Sequence, residues 1–291
     1  MNHSRLLLAA LALVAAGPLL VAQTPAPKLA FPPPSPKAVV KQTVGLTDIE
    51  VAYQRPAMKG RTIFGSLVPY EKIWRTGADT ATKITFSTPV KINGTAVDAG
   101  TYELFTIPGK TEWTVVVHQN KSQWGSYAYD AKNDVARIKA TPVALPNAIE
   151  SFSIGFADLK PAAATLYFAW EKTRVPVKIE VDLVGQMVPQ IEAAMAAAGA
   201  DKKPYFAAAM FYYENNLDLK KALAWMDAGL AEQPKAYWMI YRKGLLLAKA
   251  GDKAGAAAAA KKSLEVAAAD AKGELLEEYT RLNNMLLASL K

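Results

Sequence analysis

The first half of the chain alternates apolar and polar residues with the period of two that is typical of β-strands. Thr47–Tyr53 and Ser151–Phe156 show this alternation most clearly, and similar short segments recur as far as Val181. Turn-forming residues such as Asn93-Gly94 separate them. Parallel strands need helical crossovers, and no helical period occurs here. The pattern therefore predicts an antiparallel β-sandwich or jelly-roll-like barrel.

The predicted strands are short and follow one another closely. They are Val39–Val44, Thr47–Tyr53, Lys83–Ser87, a strand from Val90 into the Asn93-Gly94 turn, Thr101–Ile107, Trp113–His118, Trp124–Tyr129, Val135–Ala140, Ser151–Phe156, Thr165–Glu171 and Val175–Val181.

From Gly185 the composition changes to alanine, leucine and lysine with few β-branched residues, which predicts an all-α second domain. We expect one helix at 188–198 and a closing helix at about Glu274 to Leu290. Between them an internal repeat has a period of 34 residues: Met210, Asp218 and Ala222 recur as Gly244, Asp252 and Ala256. This spacing resembles the tetratricopeptide repeat, with Pro234 at its closing position. The alternative is a plain bundle of helical hairpins with a coincidental period.

The amino terminus is typical of a secretory signal. Arg5 precedes an apolar stretch that Gly17-Pro18 interrupts, and small Ala22 follows. We predict a signal peptide at 1–22, a proline-rich linker at 23–36, a β domain at 37–184 and a helical domain at 185–291. A retained membrane anchor is the alternative, although the apolar run is short for a span. We expect a periplasmic or secreted protein with no membrane span after cleavage.

The chain has no cysteine, so disulfides and thiolate chemistry are excluded. Its formal net charge is +8, and much of the excess lies in Gln54–Asp79, which we call the basic loop. This loop holds five basic residues and one acid, Glu71, before it ends at Asp79. With no long basic stripe, nucleic acid is not expected as a partner.

The basic loop and one nearby aromatic cluster are the candidate binding surface. Arginine forks match carboxylate or phosphate, and aromatic rings stack on sugars or other rings. The candidate ligand-binding residues are Arg55, Lys59, Arg61, Tyr70, Trp74, Arg75, Trp124 and Tyr127. The structural alternative is a long connection whose Phe64, Leu67, Ile73 and Trp74 fill the core. Trp124 and Tyr127 could equally cover the end of the sandwich.

Catalytic and metal chemistry has weaker signals. His118 ends a strand and is interpreted as a surface histidine; the only other histidine, His3, lies in the signal sequence. Four carboxylates suit a glycosidase by type alone: Glu103, Glu112, Asp130 and Asp134. No nucleophile elbow and no phosphate-binding glycine loop is present. We predict no catalytic residue, no metal and no cofactor.

Several segments together resemble the secreted bacterial family catalogued as domain of unknown function 2911. The similar segments are SPKAVVKQTVGLTDIEVAYQRPAMKGRTIFGSLVPYEKIWRTGAD, ITFSTPVKINGTAVDAGTYELFTIPGKTEWTVVV, WGSYAYD and ESFSIGF. They cover about half of the chain. The resemblance implies the compartment and the limits of the β domain, and it implies no activity.

The leading hypothesis is an exported, non-enzymatic binding or scaffold protein. The β domain would hold an anionic or sugar-like small ligand, and the helical domain would hold a peptide or protein partner at a groove. Candidate groove residues are Tyr205, Tyr212, Trp238 and Tyr241, although aromatic residues at helical spacing also form cores. Two alternatives stay open. One is an envelope hydrolase acting on carbohydrate or ester through carboxylates or His118, and the other is a purely structural protein.

Overall fold

The computed structural model describes Leu29 and residues 31–119, 122–197 and 203–291. The predicted signal peptide lies outside these described residues, as do most of the predicted linker and the last residue of the predicted helix 188–198. The described chain forms an antiparallel β domain and then a helical domain, which confirms the predicted fold class.

In the part of the chain that the structure describes, ten strands form two sheets that face each other. The strands are β1 (Lys37–Val44), β2 (Thr47–Gln54), β3 (Thr82–Phe86), β4 (Val90–Ile92), β5 (Thr95–Val97), β6 (Gly100–Ile107), β7 (Trp113–Gln119), β8 (Asp134–Ala140), β9 (Val143–Lys160) and β10 (Ala163–Val181). One sheet has the order β1-β2-β3-β6-β7-β8 and the other β5-β4-β10-β9. All strand pairs are antiparallel.

Two strand predictions are wrong. Trp124–Tyr129 forms turns rather than a strand, and only an isolated bridge joins Trp124 to Thr80. Gly125 has a φ of 69°, a left-handed conformation that favours a turn. Thr165–Glu171 and Val175–Val181 belong to one long strand, β10, which continues through a left-handed residue at Glu171 (φ 52°).

The main core lies between the two sheets, where alternate residues of each strand point inward. Its largest fully buried side chains include Trp113, Trp170, Phe86 and Phe152. A second, smaller cluster covers the outer face of β6 and β7. There Phe105 and Val116 pack with Ile73 of the basic loop and with Tyr129. The strands β6 and β7 are therefore buried on both faces.

The helical domain is built from α1 (Leu183–Ala196), α2 (Tyr205–Glu214), α3 (Leu219–Glu232), α4 (Tyr237–Lys249), α5 (Lys253–Asp270) and α6 (Glu274–Ser289). None of these described helices is long and apolar enough to cross a membrane.

The predicted repeat of 34 residues corresponds to two helical hairpins. Asp218 caps α3 and Asp252 caps α5, each accepting backbone N–H bonds with its side chain. Ala222 and Ala256 are fully buried at equivalent positions one turn later. The helical domain also contacts the sandwich, since the Gln186 amide donates to Thr88 Oγ1 at 3.2 Å.

Candidate functional site

The first part of the basic loop adds to the edge of the four-stranded sheet. Met58 N donates to Glu150 O at 2.8 Å, and Phe152 N donates to Pro56 O at 2.9 Å. The loop backbone therefore pairs with β9 as a short additional strand. This pairing satisfies Glu150 O and Phe152 N at the β9 edge and fixes the path of residues 56–58.

The middle of the loop is tied to β10 and to itself. The Glu171 carboxylate accepts from Ile63 N and Phe64 N, both at 3.3 Å. The Tyr70 ring lies directly on Gly65, where an added Cβ would approach the ring to 2.6 Å. A charged carboxylate on two backbone amides is a strong local anchor.

The last part of the loop enters the core through Trp74. Its backbone exchanges two hydrogen bonds with Thr106, of 2.8 and 2.9 Å. Its side chain is 8% exposed, and its indole N–H donates to Gly77 O at 3.1 Å. Rings of Phe64, Trp113, Phe152 and Trp170 surround it. The basic loop is thus an ordered, packed part of the β domain.

A cavity of about 370 Å³ lies beside this packed segment, and we call it the loop cavity. Its walls come from the loop, from β10 and from the segment before β1. They are formed by Pro34, Ser35, Pro56, Ala57, Lys59, Arg61, Leu67, Val68, Trp74, Arg75, Gly77, Ala78, Asp79 and Trp170.

Three cations and one carboxylate line the loop cavity. Arg61 is tied to the loop, since its Nε donates to Met58 O at 2.8 Å and its Nη2 to Ala57 O at 2.6 Å. Arg75 differs: its Nε is buried and has no hydrogen-bond partner. Asp79 and Lys59 have no side-chain partner among the described residues either. The wall therefore carries more positive than negative charge.

The predicted binding residues fall into three groups. Lys59, Arg61, Trp74 and Arg75 meet at the loop cavity. Arg55 does not line it, because its guanidinium donates to Phe152 O at 3.0 Å and to Ser153 Oγ at 2.7 Å. Tyr70 does not line the cavity either, and its ring packs on Gly65. Arg55 and Tyr70 therefore form the second group.

Trp124 and Tyr127 form the third group and stand apart from the loop cavity. Their side chains are 64% and 86% exposed, and neither lines its wall. The Tyr127 ring lies against Gly125. The predicted aromatic cluster is thus on the surface of a turn.

Ser35, Asp79 and Trp170 line the cavity although the sequence did not predict them as binding residues. Asp79 had a signal, because it closes the basic loop. Trp170 and Ser35 come from distant parts of the chain, and only the fold brings them to this wall.

The interpretation of His118 as a surface residue is wrong. His118 and Glu103 face each other on β7 and β6, and both side chains are 0% exposed. His118 Nε2 lies 3.2 Å from Asp130 O, and Nδ1 lies 3.6 Å from Glu103 Oε2. The physical reason is the outer cover of β6 and β7 described above. The available signal was the run of three consecutive valines before His118 in WTVVVH, where apolar and polar residues do not alternate.

Glu103 organises the segment that follows β7. Its carboxylate accepts from Gln123 N at 2.6 Å and from Gln123 Nε2 at 2.7 Å. Gln123 O in turn accepts from Ala81 N at 3.1 Å, and Asp79 O accepts from Gly125 N at 2.8 Å. By binding Gln123, the buried Glu103 carboxylate therefore supports the backbone hydrogen bonds that residues 123 and 125 make with Ala81 and Asp79. These bonds hold the Asp79 side of the loop cavity.

The other candidate carboxylates are engaged separately. Glu112 pairs with Lys139 at 2.7 Å, Asp134 pairs with Arg137 at 2.6 Å, and Asp130 accepts from Lys132 N at 3.0 Å. They do not line the loop cavity. In the part of the chain that the structure describes, no group of three or more His, Asp or Glu side chains could hold a metal ion.

A groove of about 670 Å³ runs between α3, α4 and α5 in the helical domain. Leu223, Asp227, Ile240, Lys243 and Lys262 are among its walls. The aromatic residues predicted for a groove lie elsewhere: Tyr212 and Tyr241 are buried in helix packing, and neither Tyr205 nor Trp238 lines this groove.

These observations define a class of protein: an antiparallel β-sandwich with an ordered basic loop, followed by helical hairpins. Residues 35–179 match the family described as "Protein of unknown function (DUF2911)". Through this β domain the chain belongs to that family. Comparisons with curated proteins and with solved structures gave no significant match.

Proposed function

We propose that the β domain is a non-enzymatic binding module for a small anionic ligand, which the loop cavity holds. The observation that carries the proposal is Arg75, which lines the cavity although no hydrogen bond or ion pair among the described residues involves its side chain. A guanidinium group binds a carboxylate or phosphate oxygen through charge-assisted hydrogen bonds, so an arginine in the wall without a partner in the chain suits an anion from outside it.

The surroundings of Arg75 support the same proposal. Lys59 and Arg61 contribute two more positive charges to the wall, against the single carboxylate of Asp79. The volume is at the small end of the range of ligand cavities, about 300–1,000 Å³. The backbone anchors at Glu171 and Thr106 keep the wall in place without a ligand. A preformed site loses less entropy on binding.

A fluorescence titration tests this proposal, because Trp74 and Trp170 lie in the cavity wall. The chain from residue 23 onward is titrated with glutarate and with inorganic phosphate. Arg75→Gln should weaken binding of the better anion about tenfold or more. Lys72→Gln is the matched control, since Lys72 is an exposed cation of the same loop outside the cavity wall. Equal affinities in the two variants would contradict the proposal.

We also propose that the protein acts outside the cytoplasm, in the periplasm or after secretion. The support is the pattern of residues 2–22, with its basic start and apolar centre. Amino-terminal sequencing of the protein recovered from cells tests it. A new terminus near Gln23 is expected, and a chain that retains its first residues would contradict it.

A peptide or protein partner of the helical domain stays a prediction. Its support is the repeat of 34 residues and the groove between α3, α4 and α5. No observation favours the hydrolase alternative, since His118 is buried and the four candidate carboxylates lie outside the loop cavity.

A further inference from the structure

An unpaired carboxylate and an unpaired guanidinium share the loop cavity. Arg75 and Asp79 both line it, yet no ion pair or hydrogen bond joins their side chains among the described residues. Two opposite charges in one small cavity normally pair when they can reach each other, because the interaction is stronger away from water. Since neither side chain has a partner among the described residues, each can bind a different group of one ligand.

Backbone hydrogen bonds hold both residues in the turn that borders the cavity. Arg75 O accepts from Thr82 N at 3.2 Å, which closes the turn that carries both residues. Asp79 has a φ of 56°, and its carbonyl accepts from Gly125 N at 2.8 Å. Both residues are therefore set on a fixed frame.

We propose that the ligand is an acidic α-amino acid, or a short peptide that ends in one. This inference rests on the proposed function and names the ligand class for the same site. Arg75 would bind the α-carboxylate and Asp79 the α-ammonium group. The second acidic group would lie toward Lys59 and Arg61, the remaining cations of the wall.

Charge balance favours this class over a simple anion. Three cations and one carboxylate give the wall a net charge of +2, from 3 − 1. A ligand with two carboxylates and one ammonium group neutralises part of this charge, and its ammonium group can pair with the Asp79 carboxylate. A simple dianion would leave its own negative charge beside the Asp79 carboxylate, which is unfavourable. Leu67 and Val68 supply an apolar surface for the ligand's methylene groups.

The test compares four probes of matched size: L-glutamate, glutarate, 4-aminobutyrate and L-glutamine. Glutarate lacks the ammonium group, 4-aminobutyrate lacks the α-carboxylate, and glutamine lacks the second charge. In the unmodified chain we expect glutamate to bind about tenfold more tightly than each of the other three. Calorimetry and tryptophan fluorescence measure the affinities.

The variant Asp79→Asn isolates the ammonium contact. Asparagine tolerates the left-handed backbone found at residue 79, so the turn should be retained. The preference for glutamate over glutarate should fall from about tenfold to near unity in this variant. Glu71→Gln, an exposed carboxylate of the same loop outside the cavity wall, is the control and should keep the preference.

The outcomes separate this inference from the proposed function. If glutarate binds as tightly as glutamate, and Arg75→Gln weakens both, the amino-acid inference is overturned while the anion site stands. A glutamate preference that Asp79→Asn leaves intact also overturns the inference. If no probe and no phosphate binds, both the inference and the proposed function are overturned. If Asp79→Asn fails to fold, the comparison of the four probes in the unmodified chain still tests the inference.

Discussion

Trp74 of the basic loop stacks on Trp170 of β10, with ring centroids 5.9 Å apart and an interplanar angle of 17°. Edge contacts from Phe64, Trp113 and Phe152 complete the cluster. A segment rich in glycine, proline and charge therefore contributes one of the larger rings of the sandwich core. The same two indoles also form part of the cavity wall, so core packing and site geometry depend on each other.

Replacing Trp74 should destabilise the β domain as a core substitution does. We expect Trp74→Ala to lower the free energy of unfolding by about 3–5 kcal/mol, because it leaves a large void among four rings. Trp124→Ala is the control: its side chain is 64% exposed, and the change should stay within about 0.5 kcal/mol. Urea unfolding measures both. Similar values for the two variants would contradict the packed-loop description.

Two glycines of the loop make a matched pair for the Tyr70 contact. Gly65 and Gly60 both have positive φ, 89° and 73°, so alanine is strained at either position. A Cβ at Gly65 would also meet the Tyr70 ring at 2.6 Å, whereas nothing lies within 4 Å at Gly60. We expect Gly65→Ala to destabilise the domain by about 1–3 kcal/mol more than Gly60→Ala. Equal losses would show that Tyr70 does not pack there.

Most of the fold follows from local sequence pattern. The alternation in Thr47–Tyr53 predicts β2 within one residue, and Trp113–His118 predicts β7 equally well. The short strand β5 was missed because Thr95–Val97 has too few residues to show a period. The first part of β9 was missed for another reason: residues 143–150 are mostly exposed and carry no apolar alternation.

The site was only partly predictable because its walls come from distant parts of the chain. Lys59, Arg61, Trp74 and Arg75 are close in sequence, and their composition alone marked them. Composition could not separate Arg75, whose side chain has no partner among the described residues, from Arg55, which binds the β9 backbone. Arg55 is engaged because the loop pairs with the edge of β9, which places Phe152 O within its reach. A contact between segments so far apart in sequence has no local sequence signal.

The burial of His118 has a chemical consequence. In the chain from residue 23, His118 is the sole histidine. Since its side chain is 0% exposed, diethyl pyrocarbonate should acylate it about a hundredfold more slowly in the native protein than in denaturant. A Gln119→His variant adds an exposed histidine on the same strand and should react quickly. Rapid native modification of His118 would contradict the buried Glu103–His118 arrangement.

Tyr129 makes stability depend on pH in the alkaline range. Burial, and then its hydrogen bond to the Asp134 carboxylate, raise the pKa of Tyr129 from 10.0 to about 12. The folded state thus holds this proton more tightly than the unfolded state does. The stabilisation is complete below pH 10 and is lost as the pH rises toward 12.

Tyr129→Phe should therefore flatten the fall in the free energy of unfolding between pH 10 and 12. The exposed ring of Tyr127 provides the control, and Tyr127→Phe should leave the slope unchanged. Urea unfolding at several alkaline pH values measures it. If the Tyr129→Phe and Tyr127→Phe variants show the same slope, the alkaline loss of stability does not come from Tyr129.

The most direct test of the ligand site observes the arginine donors themselves. In ¹H–¹⁵N spectra of the guanidinium groups, the Arg75 Nε–H signal should shift in a saturable manner as glutarate or glutamate is added, because the Arg75 side chain lines the cavity and a bound anion changes the environment of its guanidinium group. The Arg55 Nε–H signal is an internal control and should not move, since it already donates to Phe152 O at 3.0 Å. Signals from Arg75 and Arg55 that respond alike, or an Arg75 signal that no anion shifts, would contradict the account.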